Sequence, residues 1–395
     1  MATSALLAAD PVEASFPGAN GRIAYTSGDS VAGIVSVNPD GSGKLDLTGA
    51  RLRGSATGSY DPAYSADGER ITFEKVEPGI FRPDVFVMNA DGSAQTNLTR
   101  DTTTDRESDP SFSPDGSQIA YVREPDGGNR SIVVMSSSGS APTDLTSTLP
   151  ITFPSNPEFS PDGTRIAFDA SSGPDQDVYV MNANGTGLTN ITVAVAGASS
   201  APSWSPDGTR IAFEHSDIAR SDIFLIGSSG GATTNLTSTL AADANPSSPA
   251  FSPDSSRIAY SRKDGDDADI YVMTAADGLG QTNLTTDDPS YNGQPNWGPA
   301  DVSAPQVTIG KGPKRKTSKR TAKLAFSADE PGVTFRCSLD GKGVRPGLAR
   351  FQDCSSPRTY RRLRPGRKTF RVRGIDPAGN VSDQAKLKWK VRGSK

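Results

Sequence analysis

Along residues 16–300 the apolar positions come in short runs separated by Pro, Asp, Asn and Gly, and none repeats at the spacing of a helix face. Four runs make a unit. The first holds Pro-x-aromatic-Ser, as in Pro110–Ser113, and the second Arg-Ile-Ala-Phe/Tyr, as in Arg165–Phe168. The third is unbroken, as in Val85-Phe86-Val87-Met88, and the fourth is Asn-Leu-Thr, as in Asn97–Thr99. Each reads as a strand. Ser-Pro-Asp-Gly joins the first to the second, and Asn-Ala-Asp-Gly-Ser or a relative joins the third to the fourth. Proline presets the first turn position and glycine takes the left-handed one, so both links are tight hairpins. One unit therefore predicts a four-stranded antiparallel sheet. Its third strand lacks polar alternation, which places both faces of the sheet against neighbours.

The aromatic of the first run falls at Phe16, Tyr64, Phe112, Phe159, Trp204, Phe251 and Trp297, in steps of 45 to 48 residues. A fixed period of this size is a repeat architecture. The second, third and fourth runs occur six times and the first seven times. The Trp297 segment is therefore expected to supply the inner strand of the first sheet, beside Arg22–Tyr25, and to close a ring. The fold class that follows is all-β: a six-bladed β-propeller of four-stranded antiparallel blades over residues 16–300. Closure protects the strand edges.

The recurring unit, FSPDG-x-RIAF followed by DIYVMNADGSG-x-TNLT, resembles the WD-like repeats of the TolB-type propellers. The resemblance implies bacterial export and a protein- or ligand-binding role. No α/β pattern precedes the repeats, and a further β-domain follows them.

Composition sharpens this picture. Gly 40 and Pro 30 among 395 residues suit a turn-rich β-protein. No apolar run is long enough to span a membrane. Residues 1–15 read as a leader or a signal-peptide remnant. The net charge of −4 conceals an asymmetry: residues 301–395 carry 24 Lys and Arg against 7 Asp and Glu, so that segment is +17 and the remainder −21.

Candidate chemistry follows from the topology. The short turns share one face of the disc, and the variable loops share the other, where binding usually lives. Anchors expected on that face are Phe81, Arg82, Arg106, Phe153, His215, Arg220 and Tyr291, among many acidic residues. The residue before each first-strand proline should line the mouth of the central channel. Asp61, Asp109, Asn156 and Gln294 stand there and form a candidate Ca²⁺ site, to which Glu74, Asp169 and Glu214 would add charge. Six-bladed lactonase-type propellers hold a divalent metal in a comparable place. The Asp that precedes the third strand in four blades reads as a structural, backbone-bonding residue. The Asn-x-Thr triplets at Asn97, Asn190, Asn235 and Asn283 match a glycosylation sequon but read as strand endings. There is one histidine, His215, no nucleophile elbow and no zinc-spaced Cys/His set, so no catalytic residues and no other cofactor are expected.

From Asp301 the period stops. A basic linker over residues 301–320 leads into a second β-domain at 321–395. The phrases SADEPGVTFRCSLDG, FQDCSSPRTY and FRVRGIDPAGNVSD resemble bacterial Ig-like modules, which implies a small β-sandwich. In that family the two cysteines pair, which implies a Cys337–Cys354 disulfide and an oxidising compartment. The basic run Lys311–Arg320 carries no aromatics, which argues against base stacking and nucleic acid. An anionic wall polymer or the acidic propeller itself are the expected partners of this domain. The whole chain reads as an extracellular or periplasmic monomer, a non-catalytic scaffold binding a protein or envelope glycan. The competing expectation is a lactonase-like, metal-dependent hydrolase or lyase at the channel mouth.

Overall fold

The computed structural model describes residues 19–28, 32–49, 58–79, 82–100, 105–217, 220–241, 243–264, 267–286, 288, 290–300, 304–329, 333–375 and 381–393. Residues 1–15, Phe16 and Phe81 lie outside them. The chain divides into two units, Met1–Ala300 and Asp301–Lys395.

Six four-stranded antiparallel sheets make up the first unit. Blade 2 shows the pattern: Gly58–Tyr64 innermost, then Arg70–Val76, Pro83–Asn89 and the short Thr96–Asn97. Blades 3 to 6 begin with inner strands Arg106–Phe112, Thr152–Phe159, Ala198–Trp204 and Pro246–Phe251. Blade 1 takes its inner strand from the far end of the repeat region. Asn292–Pro299 pairs with Asn20–Ser27, setting Trp297 opposite Ile23 and Asn296 opposite Ala24. The Trp297 strand thus closes the sheet where the repeat count requires.

Packing between blades is continuous around the ring. Ile34 of blade 1 clusters with Phe73 and Met88 of blade 2, and Val85 of blade 2 with Tyr121 of blade 3. Val134 meets Phe168 across blades 3 and 4, and Val178 meets Trp204 and Phe213 across blades 4 and 5. Leu225 meets Tyr260 across blades 5 and 6. Ile270 of blade 6 then packs on Tyr25 and Trp297 of blade 1, completing the circle. The unbroken third strands are buried on both faces, as in Ser131–Ser136, where only the last residue is partly exposed. Each such large side chain contributes roughly 1.5–3 kcal/mol through burial.

The Asp before the third strand is structural, and the fourth-strand groups it holds are side chains rather than the expected backbone. Asp177 accepts from Asn190 Nδ2 at 2.8 Å and from Thr192 Oγ1 at 2.8 Å, while Asn190 Oδ1 accepts from the Thr192 N–H at 3.0 Å. Asp222 with Asn235 and Thr237, and Asp269 with Asn283 and Thr285, repeat the lock. In blade 3 the carboxylate moves across the pair: Ser131 replaces the Asp and Asp144 replaces the Asn. Asp144 then accepts from the Thr146 and Ser147 N–H groups at 3.1 and 2.9 Å. The sequon asparagines are therefore occupied in holding the fourth strand.

The second unit has a three-stranded sheet, Val307–Lys311, Ala322–Ala328 and Arg358–Tyr360, and a five-stranded one. The five-stranded sheet runs in the order Lys316–Thr317, Ala385–Val391, Gly366–Ile375, Thr334–Gly341 and Gln352–Cys354. Leu324 and Phe326 of the first sheet pack on Leu339, Phe370, Val372 and Trp389 of the second. Cys337 and Cys354 form a disulfide with Cα atoms 5.8 Å apart. Closing so short a loop stabilises the unit by about 3 kcal/mol in the chain-entropy account.

Candidate functional site at the channel mouth

The inner strands extend further than their apolar residues. They run through the residue before proline, where proline disfavours helical geometry but a bulge is allowed. Asp61, Asp109, Asn156, Ala201, Ser248 and Gln294 all adopt φ between 48° and 53°. Pairing with the second strand skips at this point in each blade, as between Tyr60 and Ala63 and between Ser108 and Ser111. A left-handed residue outside glycine costs of order 1 kcal/mol, so each bulge needs support. For five of the six it comes from the preceding blade. The Asp61 N–H donates to Thr26 Oγ1 at 3.2 Å and the Ala201 N–H to Asp169 Oδ1 at 2.9 Å. Glu74 accepts from the Asp109 N–H and Glu214 from the Ser248 N–H. Thr26, Glu74, Asp169 and Glu214 occupy one repeat position, just past the second-strand aromatic. Blade 3 has Val122 there, and the Asn156 N–H turns instead to Asp109 Oδ2 at 3.2 Å.

The six bulge residues, their prolines, Glu158 and Glu214 line one cavity of about 270 Å³. Asp61 and Asp109 of that lining meet a third carboxylate, Glu74. Asp61, Glu74 and Asp109 each offer an oxygen within 4.8 Å of the other two. Burial, then the neighbouring carboxylates, pushes Asp61 well above the ordinary range, although the Gln294 amide hydrogen-bonds to it. Burial, then Asp109, raises Glu74 to about 8, opposed by Arg106. Burial also raises Asp109, opposed by the Asn156 N–H. Glu158 is raised to about 8 by burial, with the Trp204 N–H 3.3 Å from its Oε2. Asp169 reaches only about 6, because burial is offset by Ser155 Oγ at 2.6 Å and Asn156 Nδ2 at 2.8 Å. Such a site favours a proton or a cation over free negative charge.

Two tyrosines flank the carboxylates. Tyr291 is 43% exposed and lies within electrostatic reach of Asp61 and Glu214. Tyr60 lies within reach of Glu74. Each ring fits against a glycine: a Cβ at Gly293 would stand 2.7 Å from the Tyr291 hydroxyl, and one at Gly58 2.4 Å from that of Tyr60. Tyr60 and Glu158 were not among the residues the sequence pattern singles out. Their signal was present, since other blades carry Ser or Gly where Tyr60 stands and Ser or Ala at most of the positions of Glu158.

The other anchors disperse. Ending each strand at its last apolar residue puts Arg106, Phe153 and His215 in loops, but the structure places all three within strands. The ladders continue past the core because solvated residues still pair their backbones. The loops are correspondingly shorter than the pattern suggests. Phe153 has φ 50° and is 67% exposed, at the rim of blade 4. Arg82 pairs with Asp126 of the next blade at 3.2 Å. Arg220 is tied to Asp222 and to the Thr237 carbonyl at 3.0 Å. His215 packs edge-on against Phe224, 4.9 Å between ring centres, and does not line the cavity.

A family model described as the TolB beta propeller domain matches residues 152–247. The matched stretch covers blades 4 and 5, and solved TolB structures share the fold of the propeller. TolB from Acinetobacter baumannii is 22% identical with a TM-score of 0.59, over 72% of this chain and 68% of that one. A putative TolB from Agrobacterium tumefaciens is 18% identical with a TM-score of 0.53, over 70% of this chain and 99% of that one. Hydrazine synthase of Kuenenia stuttgartiensis reaches a TM-score of 0.59 at 13% identity, over 98% of this chain and 71% of that one. These similarities show the fold. No curated protein matches the chain in sequence. No described helix is long and apolar enough to cross a membrane.

Proposed function

We propose that this TolB-type propeller is a non-catalytic binding scaffold of the cell envelope, and that it receives a basic side chain or amine of a protein partner at the channel mouth. The observation that carries this reading is the convergence of Asp61, Glu74 and Asp109 within 4.8 Å, beside Tyr60 and Tyr291. A cationic group entering there would meet carboxylates that are costly to ionise alone, and aromatic rings suited to a cation. Phe153 at the rim would add apolar contact.

The test is capture of partners from a native envelope extract on the full chain and on Asp61→Asn/Asp109→Asn. The variant is expected to retain about one tenth of the captured partner or less at low salt. Capture undiminished in the variant would rule the channel mouth out. The same oxygens favour a second reading. Three carboxylate oxygens within 4.8 Å can share one Ca²⁺, whose bonds to oxygen are about 2.3–2.6 Å, and Asn156 and Gln294 line the same cavity as Asp61 and Asp109. Calorimetric titration of the same two proteins with Ca²⁺ separates the readings. Heat in the wild type that vanishes in the variant supports the ion, and no heat in either removes it.

A further inference from the structure

The five-stranded sheet of the second unit has one face in the core and one outside. Along Gly366–Ile375, Lys368, Phe370 and Val372 are buried while Arg367, Arg371 and Arg373 point outward. Lys368 turns its amine to the Lys342 carbonyl at 2.8 Å and takes no part in the outer face. Along Ala385–Val391, Trp389 and Val391 are buried while Lys386, Lys388 and Lys390 are exposed.

The register sets these cations against one another. Arg371 stands opposite Lys386, Arg367 opposite Lys390, and Lys390 also opposite Lys316 on the edge strand. On the other side Arg373 stands opposite Arg336. Like charges directly across a sheet are destabilising. Part of the face answers this internally: Arg371 pairs with Asp340, Arg336 with Asp353 at 3.1 Å, and Arg373 lies over the Phe351 ring at 4.8 Å. Arg367, Lys316, Lys386, Lys388 and Lys390 make no ion pair with a described residue. The fold therefore holds a flat array of unneutralised cations at a cost that its own packing does not require.

We propose that this face binds a linear phosphodiester polymer without bases, of the poly(glycerol phosphate) kind. Outward positions recur about every 6.8 Å along a strand and about 4.8 Å between strands, so a flexible chain with one charge per unit can lie along the rows. The face offers N–H donors in excess, which match the acceptor-only phosphodiester oxygens. Among its described residues the one aromatic, Phe351, is covered by Arg373, so the face has no platform for stacking bases or sugar rings. That distinguishes the occupant from a nucleic acid or an acidic glycan.

The full chain would be titrated with poly(glycerol phosphate), poly-glutamate and oligothymidylate over a range of NaCl concentrations. Wild type is expected to bind poly(glycerol phosphate) most tightly, with log K falling linearly in log salt. Lys386→Gln/Lys388→Gln/Lys390→Gln should bind it at least about tenfold more weakly at ~100 mM salt, with a salt slope shallower by about two. Its melting temperature should not fall, since like-charge repulsion is relieved. Lys311→Gln/Lys323→Gln/Lys342→Gln removes the same charge elsewhere on the unit and should change affinity far less. Equal weakening in the two variants would overturn the proposal, as would no binding of poly(glycerol phosphate) at low salt. Tighter binding of oligothymidylate or poly-glutamate would assign the face to another class of partner.

Discussion

Trp297→Ala will cost the propeller about 3–5 kcal/mol, the range for truncating a large buried aromatic. Trp297 is 2% exposed, packs with Ile270, Val272 and Tyr25, and donates from Nε1 to the Gly21 carbonyl at 3.2 Å. Urea unfolding followed by circular dichroism measures the loss. Trp204→Ala is the matching control, because Trp204 is 3% exposed and fills the equivalent interface between blades 4 and 5. The two variants should differ in kind. The strand around Trp204 is held by chain continuity to its own blade, whereas Asn292–Pro299 joins blade 1 only through pairing and packing. In Trp297→Ala alone, hydrogen exchange should accelerate across Asn20–Ser27. Unchanged protection there would mean that the ring does not depend on this closure.

The channel carboxylates make stability fall as pH rises. Glu158 titrates near 8 in the folded protein, against an ordinary value of 4.5. Between those values the folded state keeps a proton that the unfolded state has lost, so unfolding becomes easier as pH climbs through the window. Below about 4.5 this group adds no pH dependence. Glu74 acts in the same sense up to about 8, and Asp169 up to about 6. Glu158→Gln keeps an acceptor for the Trp204 N–H and removes the ionisation. In metal-free buffer it is expected to stabilise the chain by roughly 4 kcal/mol near pH 8, with no gain near pH 4. Urea midpoints at several pH values check this. A wild-type midpoint that stays flat from about pH 5 to 8 would contradict the burial of these acids.

How far the site could be read in advance depended on the kind of residue. Asp61, Asp109, Asn156 and Gln294 were legible because each sits one residue before a recurring proline, and equivalent repeat positions converge on the axis of a closed ring. Glu74 was legible as added charge but not as the group that supports the bulge at Asp109, since that bond joins two blades. His215 illustrates the opposite. Its local sequence resembles a loop, yet the backbone pairs it with Ser199 and Asp222 inside blade 5. Polar residues beyond the core continue a ladder as well as apolar ones do, and hydropathy alone does not mark where pairing stops.

The sequence by itself determined the blades, their number and the partner of the last strand. Turn chemistry and an unbroken third strand are local properties, and a period of 45 to 48 residues repeats them until the count forces closure. Only the tertiary structure decided where charge collects. Three carboxylates meet within 4.8 Å because adjacent blades lean toward one axis, and a row of lysines faces a row of arginines because two strands pair in one register rather than the next. Both are distances between segments far apart in the chain, and energies of charged groups depend on those distances and on the solvent excluded around them.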